Sequence, residues 1–133
     1  MLKTPDYTHI RVYNTAKNLL ITCVELSRHF NREYRYTIGQ DLYKTIIDFI
    51  LMIYDAYNTA DFSLQYERIE KLKRRLQCIN IYLRLCLGLH LFSKERYIEL
   101  CKSTQDADDQ LTGWMLSIKR KIKAVSGGNE SAI

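Results

Sequence analysis

The sequence predicts an all-α fold, an up-down-up-down antiparallel four-helix bundle. Three observations lead there. The 133 residues include one Pro and five Gly, and between residues 6 and 126 there is no Pro and only Gly39, Gly88 and Gly113. A β-rich chain needs more turn formers than that. No segment alternates with period two over strand length, whereas apolar residues recur at helical spacings of three and four. The helical segments are joined by short polar stretches, which place neighbours antiparallel. The length fits one domain: residues 1–125 are expected to form the bundle and residues 126–133 a flexible tail, because Ser126-Gly-Gly-Asn-Glu-Ser131 has linker composition.

The first helix is predicted over residues 7–30, entered at Pro5 and Asp6, with Ile10, Tyr13, Leu20 and Val24 on its apolar side. The polar run Asn31-Arg-Glu-Tyr-Arg-Tyr36 breaks it. Thr37 and Gln40 then have the spacing of a capping box, in which two orphan amides are satisfied reciprocally, and open a second helix that reaches residue 57. Asn58-Thr-Ala-Asp61 is a turn. The third helix covers residues 63–87 with Gly88 as its C-terminal cap, and Ile69, Leu72, Leu76, Ile79 and Leu83 form its seam. Ser93 caps the fourth, which runs to residue 123. Its seam is Tyr97, Leu100, Thr104, Ala107, Leu111, Trp114, Ile118 and Ile122, with small central residues that admit a close neighbour.

The second helix departs from the pattern. Residues 46–54 are apolar over far more than the ~100° stripe that one bundle face requires. A helix of that kind must be covered on two sides, so the chain is expected to self-associate, with Ile46, Phe49, Ile50, Ile53 and Tyr54 at the interface between copies.

Composition removes several function classes. The N-terminus is too polar for a signal peptide, and no apolar run approaches the ~20 residues of a membrane span; a cytoplasmic protein is expected. Cys23, Cys78, Cys86 and Cys101 lie far apart in helical segments, which suits reduced, packed thiols rather than a disulfide framework or zinc site. His9, His29 and His90 do not cluster, and there is no Glu-x-x-His pair, Gly-rich phosphate loop or nucleophile elbow. Asp106-Ala-Asp-Asp109 fans around a helix and reads as a solvated face. No metal, cofactor or enzymatic role is expected.

Charge points to an acidic partner. The formal net charge is +5 and the pI is near 9.0. On the third helix, Glu67 and Glu70 are placed at i, i+4 to pair with Lys71 and Arg74, while Arg68, Lys73, Arg75 and Arg84 lack such partners. Arg28, Arg32 and Arg35 interleave with Tyr34 and Tyr36, a combination that suits stacking on bases and contact with phosphates. Lys119, Arg120, Lys121 and Lys123 form a third cluster at a helix C-terminus, where cations also suit the macrodipole. These thirteen positions are the candidate nucleic-acid contacts.

Residues 13–118 resemble the accessory variability determinant (Avd) proteins of diversity-generating retroelements. The resemblance lies in Arg35-Tyr-Thr-Ile-Gly39-Gln with the apolar stretch behind it, Leu72-Lys-Arg-Arg-Leu76, Leu87-Gly-Leu-His-Leu-Phe-Ser-Lys-Glu-Arg-Tyr97 and Leu111-Thr-Gly-Trp114. It implies a four-helix protomer assembling as a pentameric barrel. It further implies binding to the element's reverse transcriptase and to template RNA or cDNA, without polymerase activity of its own, in support of mutagenic retrohoming; Arg74, Arg75 and Arg84 are the basic positions carried over. The related ribosomal RNA intervening-sequence proteins share the bundle but have a Ser-Asn-Ile-Ala-Glu-Gly stretch where this chain reads Ile53-Tyr-Asp-Ala-Tyr-Asn58. They are one alternative. The other is a helical ribonuclease of the HEPN kind, because Arg84 and His90 fit its loose Arg-x(4–6)-His spacing; there the pair would polarise a phosphate and move a proton from the 2′-hydroxyl.

Overall fold

Apolar stripes that no single helix can hide are buried against one another in a ring of four long helices. The computed structural model describes residues 10–131. Its elements are α1 (Arg11–Ser27), α2 (Arg32–Tyr36), α3 (Ile38–Tyr57), α4 (Phe62–Gly88) and α5 (Lys94–Ser131), with no strand among the described residues. α1 packs on α3 and α5, and α4 packs on the same two, so α1 and α4 face each other across the core. The short α2 lies against α3.

The seams expected on the third and fourth helices are the ones buried, apart from the half-buried Tyr97, Trp114 and Ile122. Ile10, Tyr13, Leu20 and Val24, expected on the apolar side of the first helix, are only half-buried, flanking the stripe that is buried. Ile69, Leu72, Leu76, Ile79 and Leu83 of α4 are inaccessible to solvent, and Leu100, Thr104, Ala107, Leu111 and Ile118 of α5 are buried beside them. α1 contributes Val12, Ala16, Leu19 and Cys23, and α3 contributes Leu42, Ile46, Phe49, Ile53 and Ala56. Side chains also tie helices together across this core. The Gln65 amide donates to the Ala56 carbonyl at 3.0 Å, and Thr15 and Gln110 exchange hydrogen bonds between α1 and α5.

The end of α1, the segment after it and the cap of α3 differ from expectation. α1 ends at Ser27, not at residue 30, because the next amides reach back three residues rather than four: Arg28 to Glu25, His29 to Leu26 and Phe30 to Ser27. This tightening turns Phe30 inward, where it is buried with its ring 5.7 Å from that of Phe92. The expected entry at Pro5 and Asp6 lies outside the described residues. The run expected only to break the chain forms α2 instead, because the Asn31 side chain accepts from the Tyr34 amide at 3.0 Å. The Thr37–Gln40 capping box does not form. Thr37 makes no cap bond, and its hydroxyl donates instead to the Glu33 carbonyl at 2.8 Å, closing α2 rather than opening α3.

The ends of α4 and α5 also move. Asp61 caps α4 by accepting from the Leu64 amide at 3.0 Å, which starts the helix one residue earlier. At the other end the left-handed residue is His90, at φ 59°, not Gly88. The Leu91 amide bonds the Cys86 carbonyl at 2.8 Å and the His90 amide bonds that of Leu87 at 3.0 Å, the paired bonds of a Schellman motif. Ser93 caps α5 as expected, accepting from the Arg96 amide at 3.1 Å. α5 then runs past residue 123 to Ser131, through the segment expected to be a tail. Within the extension, Ala124, Val125, Ser126 and Gly127 are all exposed.

Candidate nucleic-acid interface

The thirteen candidate cations come from α2, α4, α5 and the turn after α1, and the packing of the bundle decides which are available. On α4, Arg68 is tied to the loop after α3, where its guanidinium donates to the Thr59 hydroxyl and lies 3.5 Å from the Asp55 carboxylate. Lys73 reaches across to α5, donating to the Thr112 hydroxyl at 2.8 Å with Asp108 at 3.6 Å. Both residues act as interhelical ties, which removes them from the free basic face. Their partners come from other helices, so i, i+4 spacing along α4 could not reveal them.

Lys71, Arg74 and Arg75 remain. Neither Glu67–Lys71 nor Glu70–Arg74 closes to an ion pair among the described residues, and Arg75 has no acidic partner there either. These three line a groove of about 290 Å³ between α3 and α4 together with Met52 and Cys78. Lys71 and Arg74 are exposed and Arg75 is half-buried. Arg74 therefore points away from the Ile69–Leu83 seam, and Arg75 lies beside it. Three cations lining one groove without counter-ions among the described residues match the charge of an anion with several oxygens, of which a polynucleotide backbone is one example. Arg84 is exposed further along the helix, outside the groove lining.

The second cluster is split. Arg35 donates to the Arg28 carbonyl at 2.7 Å and to the Phe30 carbonyl at 3.5 Å, satisfying acceptors left open where α1 ends. Arg28 and Arg32 are exposed. Tyr34 packs against the core, while Tyr36 is 63% exposed. In the third cluster, Lys121 stands 5.6 Å from the centre of the Phe62 ring in a cation–π contact, and Lys119, Arg120 and Lys123 are exposed.

The expected interface between copies requires a correction. Ile46, Phe49 and Ile53 are 0% exposed inside a single protomer, so they hold its core and cannot meet another chain. The same apolar run nevertheless leaves Ile47, Ile50 and Tyr54 half-buried and Leu51 59% exposed. Apolar content alone did not separate the two sides of the helix; the direction of the neighbouring helices did.

In the Asp106–Asp109 run, Asp106 and Asp109 are exposed, as expected of a solvated face, and line a cleft with Trp114, whereas the half-buried Asp108 departs from that expectation and pairs with Lys73. Among the described residues no group of three or more His, Cys, Asp and Glu could hold a metal ion, and all four cysteines are free thiols. No described helix is long and apolar enough to cross a membrane. Comparison with family models, with curated proteins and with solved structures finds no match to this chain.

Proposed function

We propose that this chain is a non-enzymatic accessory scaffold that binds the phosphate backbone of nucleic acid through the α3–α4 groove. The observation that carries the reading is the set of Lys71, Arg74 and Arg75 around one groove with no acidic partner among the described residues, while Arg68 and Lys73 beside them are paired. In this reading the helices run antiparallel, up-down-up-down, in a cytoplasmic protein. The contacts of Gln65 with Ala56 and of Lys121 with Phe62 support that course, because residues early in α4 then meet residues late in α3 and in α5. The resemblance to Avd proteins extends the proposal to a pentameric barrel that presents the groove repeatedly and docks a reverse transcriptase with its RNA. Repetition around a ring converts weak single grooves into avidity without new contacts.

The test is the salt dependence of RNA binding. Phosphate contacts release counterions, so the logarithm of affinity should fall with the logarithm of salt by ~0.7 per neutralised phosphate on a single strand. Arg74→Glu with Arg75→Glu should weaken binding and flatten that slope while helicity and sedimentation stay unchanged. An unchanged slope would place the contacts at Arg28 and Arg32 or at Lys119, Arg120 and Lys123. Metal-independent RNA cleavage that disappears in both Arg84→Ala and His90→Ala would reject the non-enzymatic reading.

A further inference from the structure

We infer that the cleft between α1, the end of α3 and α5 is a binding site for an organic cation, an alkylammonium or guanidinium group on an aliphatic stem. It is independent of the basic groove, since it opens on the α1–α5 side of the ring whereas the groove lies between α3 and α4. Its volume is about 540 Å³, within the ~300–1,000 Å³ typical of small-molecule sites. Trp114 and Tyr57 bring aromatic rings to its lining, and the same two residues also line a second cavity of about 480 Å³. Asp106 and Asp109 supply carboxylates, while Gly113 opens the α5 wall: a Cβ added there meets nothing within 4 Å.

The chemistry of this lining selects the ligand. Asp106 has no ion pair or hydrogen bond among the described residues, and Asp109 accepts only from Gln105, at 3.0 Å. Two carboxylates against the one guanidinium of Arg11 give the lining a net charge of −1 on a chain whose net charge is +5. Arg11 closes no ion pair with either acid. Aromatic faces attract cations through their quadrupole, and carboxylates add charge-assisted hydrogen bonds to the same group. A phosphate would be repelled here, so this cleft and the basic groove sort ligands of opposite charge.

The test uses agmatine, which carries a guanidinium and an ammonium on a butyl chain, with fluorescence of Trp114, the sole tryptophan of the chain, as readout. Agmatine should change the emission saturably at or below about 1 mM, and neutral 1-butanol should not. Asp106→Asn with Asp109→Asn should weaken the response about tenfold or more, since the carboxylate charges are lost. Both residues are exposed, so the fold should survive. Gly113→Leu provides a second route, filling the cleft from a site with open space. Arg11→Ala fixes the sign: it should tighten a cation site severalfold and would weaken an anion site. Blocked lysine and arginine amides, titrated in parallel, distinguish a free amine from a side chain of a protein partner, and saturation by either supports the cleft. The proposal is overturned if no cation produces a saturable change, if the double Asn variant responds like the parent, or if Arg11→Ala weakens binding.

Discussion

His90 occupies the backbone position at the end of α4 that most helices give to glycine. A left-handed non-glycine residue is strained by roughly 1–2 kcal/mol. His90→Gly should therefore raise stability by about 1 kcal/mol in urea unfolding, less whatever the freer unfolded chain takes back. Gly88, at the glycine position that would suit a cap, is not the left-handed residue, for a physical reason. Placing the left-handed residue at His90 folds Leu91 back over the helix end and delivers Phe92 into the core beside Phe30, and a glycine two residues earlier carries no information about where that phenylalanine must go. The buried thiols are a second case of environment setting residue chemistry. Burial raises the Cys23 thiol to about 12 and Cys86 to about 11, with Cys86 adding to the rise at Cys23. Below the ordinary value of 9.0 both folded and unfolded thiols are protonated, so neither contributes a pH dependence. Above it the unfolded chain loses its protons first, so stability should fall from about pH 9 towards pH 11–12. Chemical unfolding across that range should show the fall, and Cys23→Ala should reduce its slope at the expense of core packing.

Elements were legible wherever tertiary packing repeated the local pattern. The α4 seam and the α5 seam were readable because spacings of three and four coincide with the stripe that is buried. α2 was not, since its formation depends on a single Asn31 cap and on Thr37 turning back to Glu33, and both choices compete with an equally good capping box for α3. Gly39 fits this arrangement, for a Cβ there would come within 3.2 Å of the Tyr34 carbonyl and 3.3 Å of the Phe30 ring. The extension of α5 is the opposite case, helix where little is buried among the described side chains. Ala124, Val125, Ser126 and Gly127 are all exposed, Val125 at 54%, and none of them is part of the core. Ending the chain after Lys123 should accordingly change unfolding free energy by less than about 0.5 kcal/mol. A loss of several kcal/mol on denaturant titration would show that the extension is held by contacts between chains.

At the scale of the molecule, the surplus apolar surface of α3 has two destinations, and substitutions can separate them. Ile53 lies wholly within the protomer, so Ile53→Asp would bury an unpaired charge and should unfold the chain outright. Leu51 is two residues away yet 59% exposed, with Ile47, Ile50 and Tyr54 half-buried around the same helix, Tyr43 46% exposed a little earlier and Ile21 of α1 48% exposed. By helical spacing Tyr43, Ile47, Ile50, Leu51 and Tyr54 fall on the side of α3 that the core residues Leu42, Phe49 and Ala56 do not occupy. An apolar strip on a paired helix, rather than scattered single residues, is the kind of surface that association covers. The cations of the groove come from α4, so a contact through this strip would leave them open to nucleic acid. Leu51→Asp should thus leave circular dichroism and the unfolding midpoint of the protomer near those of the parent while reducing the sedimenting species to a monomer. The two variants together make the outcome decisive: Ile53→Asp loses helicity, and Leu51→Asp keeps helicity and loses assembly. If Leu51→Asp sediments as the parent does, the strip is not the contact. If the parent itself is monomeric at micromolar concentration, each protomer exposes this strip to water and any avidity for nucleic acid must come from elsewhere than a ring.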